Sequence, residues 1–197
     1  STDRAKMYYY QGYIYFSQEK YGLAETAYKN LIAEEDSNDQ ERQGAIYSLS
    51  QLAYIAEDYK KSIGYLLEWL DNEEEPSSDG YGLLAQAYYQ IEDFQNSVKS
   101  IDTAIEIQES RDIPIKVAVL DEEGNETGEM IETGETKKGV AKENHYLLKM
   151  ALYSELKKDL EVLPIYEILV QHYPKKRYWT NLSGLYGQKD RQMDQMG

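Results

Sequence analysis

The chain has 197 residues, of which 36 are acidic and 21 basic, giving a net charge of −15, and it has no cysteine. That charge repels phosphate backbones and anionic membrane surfaces at long range, which argues against nucleic acid as a partner and favours a basic protein segment, although an acidic surface also serves solubility alone. The missing thiols exclude disulfides, thiolate chemistry and cysteine metal sites together. No run approaches the roughly 18 apolar residues that a membrane-spanning helix needs, so no direct membrane insertion is expected.

In chain order, one frame returns. A small residue stands four places after a large apolar group and three before a tyrosine or alanine: Tyr8, Gly12 and Tyr15 first, then Ile46, Ser50 and Ala53. Tyr81, Ala85 and Tyr88 follow, and Tyr146, Met150 and Tyr153, with Trp179, Ser183 and Tyr186 last. Twelve residues past the small residue comes Ala24, Ser62, Ser97 or Val162, followed in phase by Tyr28, Leu66, Ile101 or Tyr166 and then Leu31, Trp69, Ala104 or Leu169. Each of the first four units therefore holds two amphipathic helices with one point of close approach, and the fifth holds an opening helix. The units run over about 5–38, 43–76, 78–111, 143–175 and 176–188, with a polar tail at 189–197.

Between them, 36–39 and 72–78 are polar connectors. Asp58 and Asp93 stand at tight turns inside the second and third units, where each can cap the helix that follows, and Lys20–Tyr21 marks the first unit's turn. Pro164 sits early in the second helix of the fourth unit, so that helix is expected to begin late or bend. The spacing from Ala85 to Met150 holds about one repeat too many. The excess, 112–141, carries β-branched segments at 115–119 and 127–132 around a Gly124–Asn125 turn, which predicts an inserted β-hairpin serving as a recognition element or a tolerated surface insertion. Asp121, Glu122, Glu123 and Asn125 mimic a calcium loop poorly, with glycine at the fourth place instead of the sixth, so an ordinary turn is expected.

The frame resembles the tetratricopeptide repeat, in which antiparallel helix pairs of about 34 residues stack through a small-residue contact. Met150 at a small-residue place, and Gln11 and Lys149 where leucine is usual, loosen the first and fourth units without moving the frame. The expected fold class is all-α: a right-handed superhelix of about four helical pairs plus one further helix, one domain with a β-hairpin insertion.

Catalytic chemistry finds little footing. His145 and His172 belong to no metal or acid–base spacing, the carboxylates are scattered, and no phosphate loop or nucleophile motif occurs, so no catalytic residue, metal or cofactor is expected. The candidate site is instead a face of the first helices, at the places three before and one or more after the small residue. Tyr9, Tyr13, Tyr47, Gln51, Tyr54, Gln86 and Tyr89 fall there. Tyrosine combines rigid apolar area with a hydroxyl, which suits an extended peptide or a helix. Tyr8, Tyr15, Tyr28, Tyr81, Tyr88, Tyr146 and Tyr153 are read as filling between helices. Tyr13, Gln51 and Gln86 stand where a clamp for a chaperone's terminal carboxylate would place asparagines, so that mode of capture is not expected.

At 143–148, 173–179 and 182–187 the chain resembles bacterial tetratricopeptide proteins encoded with TonB and ExbB/ExbD energy-transduction systems. That resemblance implies a periplasmic accessory protein contacting a TonB/ExbB/ExbD component or an outer-membrane transporter; a cytoplasmic location is the alternative. Ser1 in place of a starting Met reads as a processed chain or a piece of a longer one, leaving room for an upstream targeting signal. The segment 8–16 lacks the basic flank of a signal peptide. Competing readings are an assembly factor for a pilus or secretin and a regulatory domain of a longer enzyme.

Overall fold

The computed structural model describes residues 2–196, which fall into two compact units, Ser1–Ile101 and Asp102–Gly197. In the first unit α1 (Thr2–Ser17) pairs with α2 (Tyr21–Ala33), α3 (Asp39–Ile55) with α4 (Tyr59–Asn72), and α5 (Ser78–Gln90) is followed by α6 (Phe94–Glu109), within which the boundary falls. The helices start where side chains satisfy their free amides. Asn38 accepts from the Glu41 amide at 2.8 Å while Glu41 accepts from the Asn38 amide at 3.2 Å, a reciprocal box that opens α3. Ser77 caps α5 and Asp58 caps α4, as the sequence predicts for Asp58; Asp93 likewise accepts from the Asn96 amide at 3.2 Å.

Each first helix ends in the same way. Glu19, Glu57, Glu92 and Lys157 have φ of 59, 60, 62 and 56°, the left-handed conformation that usually selects glycine. The next amide then reaches back five residues: Lys20 to the Tyr15 carbonyl at 2.8 Å, Asp58 to Ala53 at 2.9 Å, Asp93 to Tyr88 at 3.0 Å and Lys158 to Tyr153 at 2.8 Å. These bonds satisfy the last carbonyls and reverse the chain within four residues, bringing the second helix back against the first.

Close approach then closes the pair. A Cβ on Gly12 would lie 2.6 Å from the Tyr28 ring, so the two helices touch through a tyrosine laid on bare backbone. In the second and third pairs the small residue is met by a serine: Ser62 Oγ donates to the Ser50 carbonyl at 2.8 Å and Ser97 Oγ to the Ala85 carbonyl at 2.7 Å, all buried. Such a bond contributes about 1 kcal/mol net. Around these contacts lie two apolar cores, one of Ala5, Ala24, Tyr28, Leu31, Ala45, Leu49 and Leu52, the other of Ile63, Leu66, Leu84 and Ala87. Tyr8 and Tyr15 flank the first and Tyr81 and Tyr88 the second, as filling residues.

The second unit carries the insertion. Strands β1 (Asp112–Leu120) and β2 (Glu126–Lys138) are longer than the segments read from sequence and pair antiparallel, Val117 opposite Ile131 and Ala118 opposite Met130. In the turn, Asp121 Oδ1 accepts from the amides of Glu123 and Asn125 at 2.9 and 2.8 Å, and Gly124 has φ of 86°. The Asp121 carboxylate, held below its usual pKa by those amides and Asn125, thus closes an ordinary turn. The base is pinned: the Gly139 amide donates to the Arg111 carbonyl at 2.9 Å, and a Cβ there would lie 2.2 Å from the Gln108 carbonyl oxygen.

After it come α7 (Glu143–Glu155), a 3-10 turn at Asp159–Val162, α8 (Leu163–His172) and α9 (Lys176–Met196). Pro164 falls in the first turn of α8, which begins late as predicted because proline has no amide to give the preceding turn. The polar stretch from Lys189 continues α9 as helix through Met196. The bulky face expected at Trp179 is a different matter: Trp179 is 56% exposed and Ser183 is exposed, while Tyr178 and Leu182 are buried. In the other pairs the second helix covers these frame positions, and no second helix follows α9 among the described residues.

A matched pair of substitutions tests the closing contact. Gly12→Ala should destabilise the chain by about 1–3 kcal/mol, because Tyr28 is buried and must shift. Gly64→Ala, with nothing within 4 Å of the added carbon inside α4, should stabilise it by about 0.5–1 kcal/mol. Denaturant midpoints of the two variants against the wild type read the opposite signs.

Candidate partner-binding face

The first helices of the first unit carry the candidate residues, and the structure sorts them into two kinds. Tyr9 and Tyr13, one turn apart on α1, are 39% and 63% exposed. Tyr9 leans over α3, where a Cβ on Gly44 would lie 3.8 Å from its ring. On α3 itself, Tyr47 is half-buried with its ring centroid 5.1 Å from that of Trp69. Burial, and then the charge of Asp79 on α5, push the Tyr47 hydroxyl above its ordinary pKa, so it stays protonated and able to donate. Gln51 and Gln86 are half-buried at the equivalent places of α3 and α5. Tyr9, Tyr13, Tyr47, Gln51 and Gln86 therefore offer apolar rings, hydroxyls and amides on successive first helices.

Tyr54 and Tyr89 belong to the other kind. Tyr54 meets Tyr59 edge-on at 5.2 Å, and Tyr89 meets Phe94 at 5.6 Å. Phe16 and Tyr21 form the same pair in the first unit at 5.9 Å. In all three the last turn of a first helix packs on the first residue of the second helix, across the reversal described above. These rings hold the turn shut, and offset or edge contacts of this sort add about 0.5–1.5 kcal/mol beyond area burial. Sequence reading placed Tyr54 and Tyr89 beside the face because it followed one helix at a time; the spacing of five between the paired aromatics is the signal that points to the turn.

The residues carrying the C-terminal resemblance bond to one another and to Glu109 and Ala141 beside them. Glu143 accepts from Lys175 Nζ at 2.6 Å and from the Tyr178 hydroxyl, partners that hold its carboxyl below the usual range, Lys175 first. Tyr146 donates to Glu109 at 2.5 Å and accepts from the Ala141 amide at 3.1 Å, while Tyr173 donates to the Ala141 carbonyl at 2.6 Å. Burial, with Glu109 adding to it, raises the Tyr146 hydroxyl well above an ordinary tyrosine. His145 is buried in α7 and His172 is the last residue of α8. Among the described residues no group of three or more His, Cys, Asp or Glu is placed to hold a metal ion, and no helix is long and apolar enough to cross a membrane.

Solved structures share the fold of this chain. The chain is similar to the crystal structure of the MamA protein, at 14% identity and a TM-score of 0.67, over 96% of this chain and 85% of that one. The chain has the tetratricopeptide fold. It is similar at 13% identity and a TM-score of 0.61 to YrrB, over 93% of this chain and 76% of that one; YrrB is described as a tetratricopeptide protein with an unusual peptide-binding site. A tetratricopeptide repeat protein from Parabacteroides merdae matches at 10% identity and a TM-score of 0.67, over 95% of this chain and 62% of that one. No family model matches the chain, and no curated protein does.

The division of tyrosines is testable without a partner. Tyr13→Ala should change stability by less than about 0.5 kcal/mol, as for an exposed side chain away from special features. Tyr89→Ala should cost about 2 kcal/mol through loss of a half-buried ring and its pair. Thermal or denaturant unfolding of both variants measures the difference.

Proposed function

We propose that the chain is a non-enzymatic protein-interaction scaffold whose client lies across the first helices of the first unit. One observation carries this reading: Tyr9 and Tyr13 stand exposed on α1, and Tyr47, Gln51 and Gln86 are half-buried at the matching places of α3 and α5. Exposed aromatic rings with amides nearby give an extended segment rigid contact area and hydrogen-bond partners for its backbone. The net charge of −15 favours a basic client, steering it to the chain and weakening with salt.

Within that reading, the C-terminal resemblance points to a periplasmic component of a TonB-type system as the client, with an extended segment rich in proline and lysine. Proline rings would lie on Tyr9 and Tyr13 and the lysines would meet the acidic edges, at small cost in ordering because the extended backbone is preformed. The similar solved structures support the fold and are silent on TonB. This finer assignment rests on the resemblance and the charge.

The test is capture of clients on immobilised chain, wild type against the Tyr9→Ala/Tyr13→Ala double variant. Clients should be lost or weakened by roughly 1 kcal/mol or more for each ring that is a hot spot. An unchanged set of clients would remove the α1 face as the site. Titration with the periplasmic part of the TonB protein from the same organism, at low and moderate salt, tests the finer assignment; binding should weaken as salt rises, and no binding at either salt would remove it.

A further inference from the structure

The fourth helical pair is open at the place where the other three are closed. Four frame positions make the closure elsewhere. In the second and third pairs the small residue and its partner twelve residues later form the helix contact, Ser50 with Ser62 and Ala85 with Ser97, and in the first Gly12 takes the Tyr28 ring. The positions four and nine past the small residue form the ring pair, Phe16 with Tyr21, Tyr54 with Tyr59 and Tyr89 with Phe94. In the fourth pair these positions read Met150, Val162, Ser154 and Asp159. Methionine puts a long side chain at the place of close approach, valine lacks the hydroxyl that Ser62 and Ser97 donate, and neither serine nor aspartate replaces a ring.

All four of these residues line one open, solvent-facing cleft of about 490 Å³ within the second unit. Its size falls within the roughly 300–1,000 Å³ of pockets that take compact ligands. The walls suit a flat ring. Tyr166 presents an aromatic side chain held in place by Asn181, whose Nδ2 donates to its hydroxyl at 3.1 Å, and by Tyr178, 6.2 Å away centroid to centroid. On α9, Gly184 lines the cavity with nothing within 4 Å of an added Cβ, so the absent side chain keeps the space free. Asp159 and Ser154 place acceptor oxygens at the end where the paired rings sit in the other units.

We propose that this cavity is a binding site for an aromatic side chain, indole or phenol, carried on a partner polypeptide. The ring takes the place of the pair that Ser154 and Asp159 do not supply, packs against Tyr166 and Met150, and donates its N–H or O–H to Asp159. The site shares no residue with the α1 face. Only the assignment of the ring to a polypeptide rests on the scaffold reading, because Thr180 and Gly184 occupy on α9 the frame places of Tyr9 and Tyr13 on α1.

The test uses the full chain with its methionine methyls labelled with carbon-13, since Met150 is the one methionine among the lining residues. The Met150 signal is identified by its loss in Met150→Leu. The probes are N-acetyl-tryptophanamide and N-acetyl-tyrosinamide, with N-acetyl-leucinamide as an apolar control and free tryptophan as a non-peptide aromatic. Saturable movement of the Met150 methyl with the two aromatic amides, not with the leucine amide, and with Met7, Met130 and Met193 still, is the expected result. Ser154→Tyr/Asp159→Tyr, which restores the repeat's rings, should abolish the shift and raise the unfolding midpoint; Gly184→Leu provides a second filled cavity should that variant not fold.

A Met150 methyl unmoved at the highest soluble probe concentration would overturn the site, as would an equal shift in a folded, filled variant. Free tryptophan binding about tenfold or more tighter than its blocked amide, a difference near 1.4 kcal/mol, would overturn the assignment to a polypeptide. Loss of clients from the α1 face is a separate result: a capture experiment that fails while Met150 still responds overturns the proposed function and leaves this pocket standing.

Discussion

Two helices can lie side by side closely only where one of them offers almost no side chain, and this constraint organises the chain. At Gly12 the Tyr28 ring rests where a Cβ would be, and at Ser50 and Ala85 the second helix comes near enough for a buried serine to reach a backbone carbonyl. Serine at those places adds direction to a contact that packing alone leaves loose, since its hydroxyl is buried and must find an acceptor. The left-handed residue seven places on, Glu19, Glu57 or Glu92, is what lets the second helix return to this point. Its backbone cost is of order 1 kcal/mol and is offset by the bonds it makes and the ring pair beside it.

Once each pair is closed in this way, the remaining side chains of the first helix are released from the core. That is how 20 tyrosines are accommodated in a chain of 197 residues. Tyr28 and Tyr146 are buried among helices, Tyr54, Tyr59, Tyr89 and Tyr21 shut the turns, and Tyr9 and Tyr13 are left exposed on α1. A face of rings supported by packed helices loses little side-chain entropy on binding, which is why such faces suit recognition. The relaxation of closure in the fourth pair follows from the same rule: enlarging the small residue to Met150 and removing the rings leaves space that nothing else in the second unit fills.

Much of this was legible in the sequence, and the unevenness has physical causes. Helix pairing, the late start at Pro164, the cap at Asp58 and the hairpin were readable because each rests on residues at a fixed local spacing. The left-handed turns were not, because glutamate and lysine occupy positions where glycine would have signalled them. Tyr54 and Tyr89 could not be separated from Tyr9 and Tyr13 by periodicity, since all four lie on exposed or half-exposed first-helix positions and only a contact across the turn distinguishes them. Trp179 reads as core for the same reason: the frame marks which residues face a second helix, and not whether one is there. The cavity needed three departures, at Met150, Val162 and the Ser154–Asp159 pair, to be seen as one event in space.

Covalent labelling of tyrosines, mapped residue by residue on the wild-type chain alone and in complex with a captured client, tests the central claim most directly. The account predicts that Tyr9 and Tyr13 react readily in the free chain and are protected in the complex, with Tyr28 and Tyr146 unreactive in both. Equal reactivity of Tyr9 and Tyr13 in the two states, with protection confined to the hairpin or to the second unit, would contradict it.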